Sequence, residues 1–225
     1  MSYTWLLFDV DDTLFDYPLA ETKALRSTFE QFGQDYRAEY LQIYQVFNRQ
    51  VWGEFERGET KAAELRLKRF RLLFNEIGIP IDSQEFSQRY LENLTQASEL
   101  LPGAAEVLKA LSGHYHIGLV TNGLKEVSRP SLENSAIRPF IEKIFISEEM
   151  GVAKPAAGFF ESVFQEIGQP PKNQVLIIGD SLASDMQGGI NFGIDTCWFN
   201  PVGKTTDVPV TYMVNSLGQL LDILQ

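Results

Sequence analysis

One cysteine in 225 residues, Cys197, excludes any disulfide within the chain. It reads as a compact packing residue, and such sparing use is compatible with a reducing cytoplasm. Long apolar runs are missing: nowhere do about eighteen apolar residues follow one another, which removes a membrane-spanning helix. Positive charge is scarce as well. Nineteen Lys and Arg stand against thirty Asp and Glu, a formal net charge of −11, which repels nucleic-acid phosphates and anionic lipid surfaces at long range. Neither nucleic acid nor membrane is expected as a partner. The start, Met1-Ser2-Tyr3-Thr4-Trp5, has no basic segment and no small-residue cleavage site. No secretory leader is therefore expected, and the expected location is cytoplasmic. Internal repeats and low-complexity tracts are absent too.

What is present is a globular composition, 44% hydrophobic and 22% charged. At about 150 residues per domain the length allows one domain with a substantial insertion. Trp5-Leu6-Leu7-Phe8 is a short apolar run that stops at Asp9-Val10-Asp11-Asp12-Thr13, the pattern of a buried strand ending in a polar loop. From Pro18 to Ala97 the periodicity is helical, with Leu25, Phe29 and Phe32 on one face, then Leu41, Tyr44, Val46 and Phe47, then Leu65, Leu67, Phe70, Leu73 and Phe74. Gly33, Gly58 and Gly78-Ile79-Pro80 punctuate that stretch into about four helices. After Pro102-Gly103 the chain alternates strand and helix. Strands are predicted over His116–Val120, Ile144–Ile146, Gln174–Ile178 and Asp195–Phe199, with helices between them. This alternation predicts an α/β fold, a Rossmann-like parallel sheet interrupted after its first strand by an all-helical insertion. The expected division is 1–16 with 98–225 for the α/β core, and 17–97 for the insertion.

In an open parallel sheet, ligands bind beyond the carboxyl ends of the strands. The residues found there are polar: Asp9, Asp11 and Thr13; then Thr121, Asn122 and Gly123; then Gly179, Asp180 and Ser181, with Ser184 and Asp185 one turn on. Lys154 follows the third strand. Any one of these has a bland reading, since Asp, Ser and Thr at such junctions cap helices or form turns, and Lys154 could be a solvated lysine beside a turn proline. Convergence is what would distinguish them. If Asp9, Asp11 and Asp180 lay within about 4 Å of each other, each like-charge pair would cost roughly 4 kcal/mol at an effective dielectric of about 20. Such a cluster must take up protons or bind a cation, and an all-oxygen site suits Mg²⁺ completed by a substrate phosphate. The helix opening after Thr121 suits an anion, and Lys154 has the right charge for one.

Four segments in this order resemble the haloacid dehalogenase superfamily of phosphatases: Asp9-Val10-Asp11-Asp12-Thr13-Leu14, Val120-Thr121-Asn122-Gly123, Lys154-Pro155, and Gly179-Asp180-Ser181-Leu182-Ala183-Ser184-Asp185. The resemblance implies that Asp9 is the nucleophile and forms an aspartyl-phosphate, with Asp11 as general acid and base. It implies Mg²⁺ held by Asp9, the Asp11 backbone carbonyl and Asp180, with Asp185, Thr13 and Ser184 supporting that shell from behind. Thr121, Asn122 and Lys154 would bind the phosphoryl group. The family's usual glycine before the threonine is Asp12 here. The second acid, Asp11, matches the phosphatases and not the dehalogenases. The insertion would be a helical cap that selects the substrate.

Within the family the likeness is greatest to pyrimidine nucleoside monophosphate phosphatases. It is carried by Thr121-Asn122-Gly123, the run Ile146-Ser147-Glu148-Glu149-Met150-Gly151-Val152-Ala153-Lys154-Pro155, Gly188-Gly189-Ile190-Asn191, Thr196-Cys197-Trp198-Phe199-Asn200, and Asn48, Trp52, Phe55 and Gly58. The expected partner is a small phosphorylated metabolite, the alternatives being a sugar phosphate or phosphoglycolate, with a phosphomutase or a phosphoprotein-binding module further off. Monomer and homodimer both stay open. Trp52 and Phe55 could stack on a base and Arg66 or Arg69 reach its edge, or all four could serve core and surface. His114 and His116 fall at the wrong end of a strand for catalysis.

Overall fold

The structure, a computed structural model describing residues 3–224, divides into two compact units, Met1–Asp16 with Glu99–Gln225 and Tyr17–Ser98. The first unit carries six parallel strands: β1 (Trp5–Phe8), β2 (His116–Thr121), β3 (Lys143–Ile146), β4 (Val175–Gly179), β5 (Asp195–Phe199) and β6 (Tyr212–Val214). Their spatial order is β3-β2-β1-β4-β5-β6. Trp5 lies opposite both His116 and Val175, so β1, the earliest of the six strands in chain order, is central in the sheet. All four of its residues are buried, as a strand covered on both faces requires.

Side chains alternate across that sheet and build two cores. Leu6 and Phe8 join Ile117, Leu119, Leu176 and Ile178 under α5 (Ala104–Leu111). Trp5 and Leu7 join Val120, Val175 and Ile177 under Phe159, Phe160 and Val163, residues of α8 (Ala157–Glu166). Between these run α6 (Lys125–Glu133) and α7 (Ser147–Met150); α9 (Gln187–Phe192) and α10 (Gln219–Leu224) follow. A Cβ at Gly189 would come within 2.8 Å of Ile177 and Thr196, so only glycine lets α9 sit this close to β4 and β5. Strand β6, α5 and α10 lie outside the elements read from sequence. β6 has three residues and one buried position, too few to show a period.

The second unit is four helices, α1 (Tyr17–Gln31), α2 (Ala38–Glu56), α3 (Ala62–Ile77) and α4 (Ser83–Gln96). Gly78 ends α3 in the left-handed region at φ 70°. Asp82 then caps α4, accepting from the Glu85 N–H at 2.8 Å. The core is aromatic: Phe29, Phe70, Phe74 and Phe86 pack with ring centroids 4.9–6.3 Å apart.

A charge is buried in that core. Arg69 is 1% exposed. Its Nη1 donates to Asn48 Oδ1 at 3.0 Å, and Asn48 Nδ2 donates to Glu21 Oε1 at 3.0 Å. Gln45 donates to the other Glu21 oxygen at 2.9 Å. The guanidinium lies 5.0–5.9 Å from the ring centres of Phe70, Tyr90 and Tyr44, whose negative faces stabilise it. Arg69 is therefore a core cation, and the surface position that helical spacing allowed is excluded. Trp52 and Phe55 are partly buried and meet edge to face at 5.7 Å. Among the described residues no helix is long and apolar enough to cross a membrane.

Candidate active site

Strand order reverses between β1 and β4, and the crevice beyond such a switch point is where open α/β sheets take ligands. Asp9 leaves β1 there and Asp180 leaves β4. One carboxylate oxygen from each of Asp9, Asp180 and Asp185 can be chosen so that all three lie within 4.8 Å of one another. Thr13, fully buried, ties the group together. Its hydroxyl donates to Asp9 Oδ2 at 3.1 Å, and Thr13 Oγ1 itself accepts from the Asp180 N–H at 3.1 Å.

Lys154 is the counter-charge. It is 1% exposed, which rules out the solvated-lysine reading. Its Nζ donates to Asp9 Oδ1 at 2.6 Å, Asp185 Oδ1 at 2.7 Å and the Val120 carbonyl at 2.7 Å. An ammonium has three hydrogens and all three are committed. Burial alone would lower its pKa, but Asp185 and Asp9 outweigh burial and hold it above the usual lysine value. Asn122 holds the backbone of this lysine. Its Nδ2 donates to the Lys154 carbonyl at 2.8 Å, and its Oδ1 accepts from the Lys154 N–H at 2.9 Å. Both ends of the amide therefore clamp the Lys154 backbone. Thr121 Oγ1 accepts from the Gly123 N–H at 2.9 Å, leaving its hydroxyl hydrogen to donate elsewhere.

Asp185 is delivered by one wide turn, in which the Met186 N–H reaches the Ser181 carbonyl five residues back. Ser181 Oγ caps that turn by accepting from the Ser184 N–H, which is Ser184's part in the site. Asp185 Oδ2 accepts from the Ser181 N–H at 3.1 Å. A Cβ at Gly179 would meet Asp185 Oδ2 at 2.3 Å and Cγ at 2.5 Å. Gly179→Ala is thus expected to displace this carboxylate and lower stability by about 1–3 kcal/mol, read by urea denaturation. An unchanged midpoint would contradict the close approach.

Asp11 is partly buried beside Gly123, whose added Cβ would lie 3.3 Å from Asp11 Oδ2. Burial, then the charges of Asp9 and Asp12, push the Asp11 carboxyl up to about 7. Burial and Asp9 also raise Asp180 to about 8 and Asp185 to about 7. Asp12 sits at φ 61°, the left-handed conformation that glycine adopts freely and Asp tolerates.

The site so assembled has a carboxylate cluster, one buried lysine and a strand-end loop bearing two further acids on a doubly wound sheet, an arrangement suited to an enzyme active site. The chain belongs to the haloacid dehalogenase-like hydrolase family, whose pattern matches residues 6–199. It is 37% identical over 227 residues to the pyrimidine 5'-nucleotidase PynA of Streptococcus pneumoniae, covering 100% of this chain and 96% of that one. It is 30% identical over 226 residues to the pyrimidine 5'-nucleotidase YjjG of Escherichia coli, covering 100% and 99%. The magnesium-bound crystal structure of the putative HAD-hydrolase YfnB of Bacillus subtilis superimposes with a TM-score of 0.94 at 36% identity, covering 100% of both chains.

His116 pairs with Glu142 at 2.6 Å and stacks on Trp5 at the amino end of β2. Cys197 is buried, and burial pushes its thiol up to about 12.

Proposed function

We propose that this protein is a Mg²⁺-dependent phosphomonoesterase that works through an aspartyl-phosphate on Asp9 and prefers pyrimidine nucleoside 5'-monophosphates. The observation that carries the reading is the carboxylate cluster with Lys154 at its side. Three carboxylates facing one buried ammonium leave excess negative charge, and every donor in the cluster is an oxygen, the set a hard divalent cation takes. Asp9, Asp180 and the Asp11 carbonyl would hold Mg²⁺, with Asp185 locked behind them by Lys154 and Ser181. When bound, the ion supplies positive charge against the phosphoryl oxygens.

The chain's own groups perform the covalent steps. A carboxylate oxygen of Asp9 attacks the phosphorus, and the bond from phosphorus to the ester oxygen breaks. Asp11, raised to about 7 and so protonated over much of the neutral range, gives its proton to the leaving oxygen. Asp11 then takes a proton from water as that water attacks the aspartyl-phosphate, releasing inorganic phosphate and restoring Asp9. Lys154 holds the Asp9 carboxylate in place, and Asn122 holds Lys154. The Thr121 hydroxyl, whose oxygen accepts from the Gly123 N–H, donates its hydrogen to the transferring group. The helical unit is assigned the substrate-selecting role of a cap.

The nucleotide preference rests on PynA and YjjG, which bear that name and align along nearly the whole chain. Phosphate release from dUMP, dTMP, AMP and phosphoglycolate, with and without chelator, tests both parts. Activity that survives chelation removes the metal, and a higher kcat/KM on phosphoglycolate removes the nucleotide.

A stability measurement tests the cluster itself. Asp11, Asp180 and Asp185 are raised from 3.8 to about 7, 8 and 7, so without metal the folded chain binds more protons than the unfolded one above about pH 4. Stability in chelator should therefore fall as pH rises from about 5 to 8, by up to about 1.4 kcal/mol per retained proton per pH unit. Added Mg²⁺ should remove most of that fall, seen as converging urea midpoints. A chelated protein equally stable at both pH values would contradict it.

A further inference from the structure

The peptide unit joining Asp180 to Ser181 is gripped on both sides. Its carbonyl accepts from Trp198 Nε1–H at 2.8 Å, and its N–H donates to Asp185 Oδ2 at 3.1 Å. We propose that Trp198 is a positioning residue for the cation site: by fixing the plane of this one peptide it aims both Asp180 and Asp185 without touching either carboxylate. The inference rests on the cation site proposed above.

Sheet register makes the contact possible. Trp198 lies opposite Gly179 in the parallel pair of β4 and β5, so its indole reaches the residue that follows the strand end. It is 2% exposed, and its N–H is given a partner in that carbonyl. On the other side, the Asp180 N–H is held by Thr13 Oγ1. Asp180 thus enters the site with its backbone pinned at both ends. Asp185 Oδ2 follows the same peptide plane, and its other oxygen is on Lys154. Rotation of that plane would move the Ser181 N–H away from Asp185 and change the direction in which Asp180 leaves β4. Outer hydrogen bonds of this kind, when removed, weaken metal binding by about 10–100-fold.

Two variants separate the hydrogen bond from packing. Trp198→Phe removes the N–H together with part of the ring. Replacement of Trp198 by 3-benzothienylalanine keeps the bicyclic shape and puts sulfur where the N–H was, so it remains informative if the Phe protein folds poorly. Mg²⁺ binding to the metal-free full chain is read by calorimetry, alongside the Mg²⁺ concentration for half-maximal phosphate release. Both variants should bind Mg²⁺ at least about tenfold more weakly. The nucleotide KM at saturating Mg²⁺ should stay within about twofold of the unmodified protein, a split that general loosening of the fold would not produce. Unchanged Mg²⁺ affinity in the benzothienyl protein overturns the assignment and makes Trp198 a packing residue. If the unmodified protein takes up no Mg²⁺ at millimolar concentration, the cation site and this assignment fall together. That outcome is visible in the unmodified protein alone, whereas a failure confined to the variants leaves the cation site standing.

Discussion

Asp9→Asn is expected to lower the rate of phosphate release by about 10⁴-fold or more, because the amide has no anionic oxygen to attack phosphorus. The same change should leave the fold intact. Asn Oδ1 still accepts from Lys154, and Thr13 can accept from the new amide where it donated before. Asp9 is also a charge that raises the carboxyls of Asp11, Asp180 and Asp185, so its loss relaxes all three. In chelator at pH 8 the Asn protein should then be more stable than the original while turning over nothing. Urea denaturation and a phosphate assay on the same preparation check both halves. An Asn protein with full turnover would remove Asp9 from the chemistry.

The second large effect is in the helical unit. Arg69→Met should cost about 3–5 kcal/mol, because it leaves Glu21 buried without its cation while Asn48 loses a donor. Burial already raises the Glu21 carboxyl, and Arg69 is among the groups that hold it down. In the variant that carboxyl rises further, so the loss should grow as pH rises and be smaller at acidic pH than at pH 8. Pairing it with Glu21→Gln should recover part of the stability, since the double variant removes both charges. A single variant within about 0.5 kcal/mol of the original at pH 8 would show that Glu21 does not depend on Arg69 as its counter-charge.

Much of this site was legible because its chemistry stands directly behind short apolar runs. Asp9 follows Phe8, Thr121 follows Val120 and Asp180 follows Gly179, and in a parallel sheet those ends face one way. The order of the strands was not legible, since period-2 patterning marks a strand and not its neighbour. Everything that depends on that order was therefore hidden: Lys154 spending all three hydrogens, Asn122 clamping the lysine's backbone, and Trp198 reaching across from β5. The burial of Arg69 was hidden for a related reason. Helical spacing names a face, but only tertiary packing decides that three aromatic rings cover a guanidinium.

The central place of β1 has a consequence for how the chain is made. Trp5-Leu6-Leu7-Phe8 leaves the ribosome ahead of both its neighbours, His116–Thr121 and Val175–Gly179, which emerge only after the whole helical unit. Until then an apolar strand has both edges unpaired, a state prone to wrong pairing. The helical unit is a contiguous stretch that can assemble early, while the sheet must wait for contacts distant in sequence and so closes slowly. Asp9 is made long before Lys154, and its carboxylate is secured only when that lysine arrives.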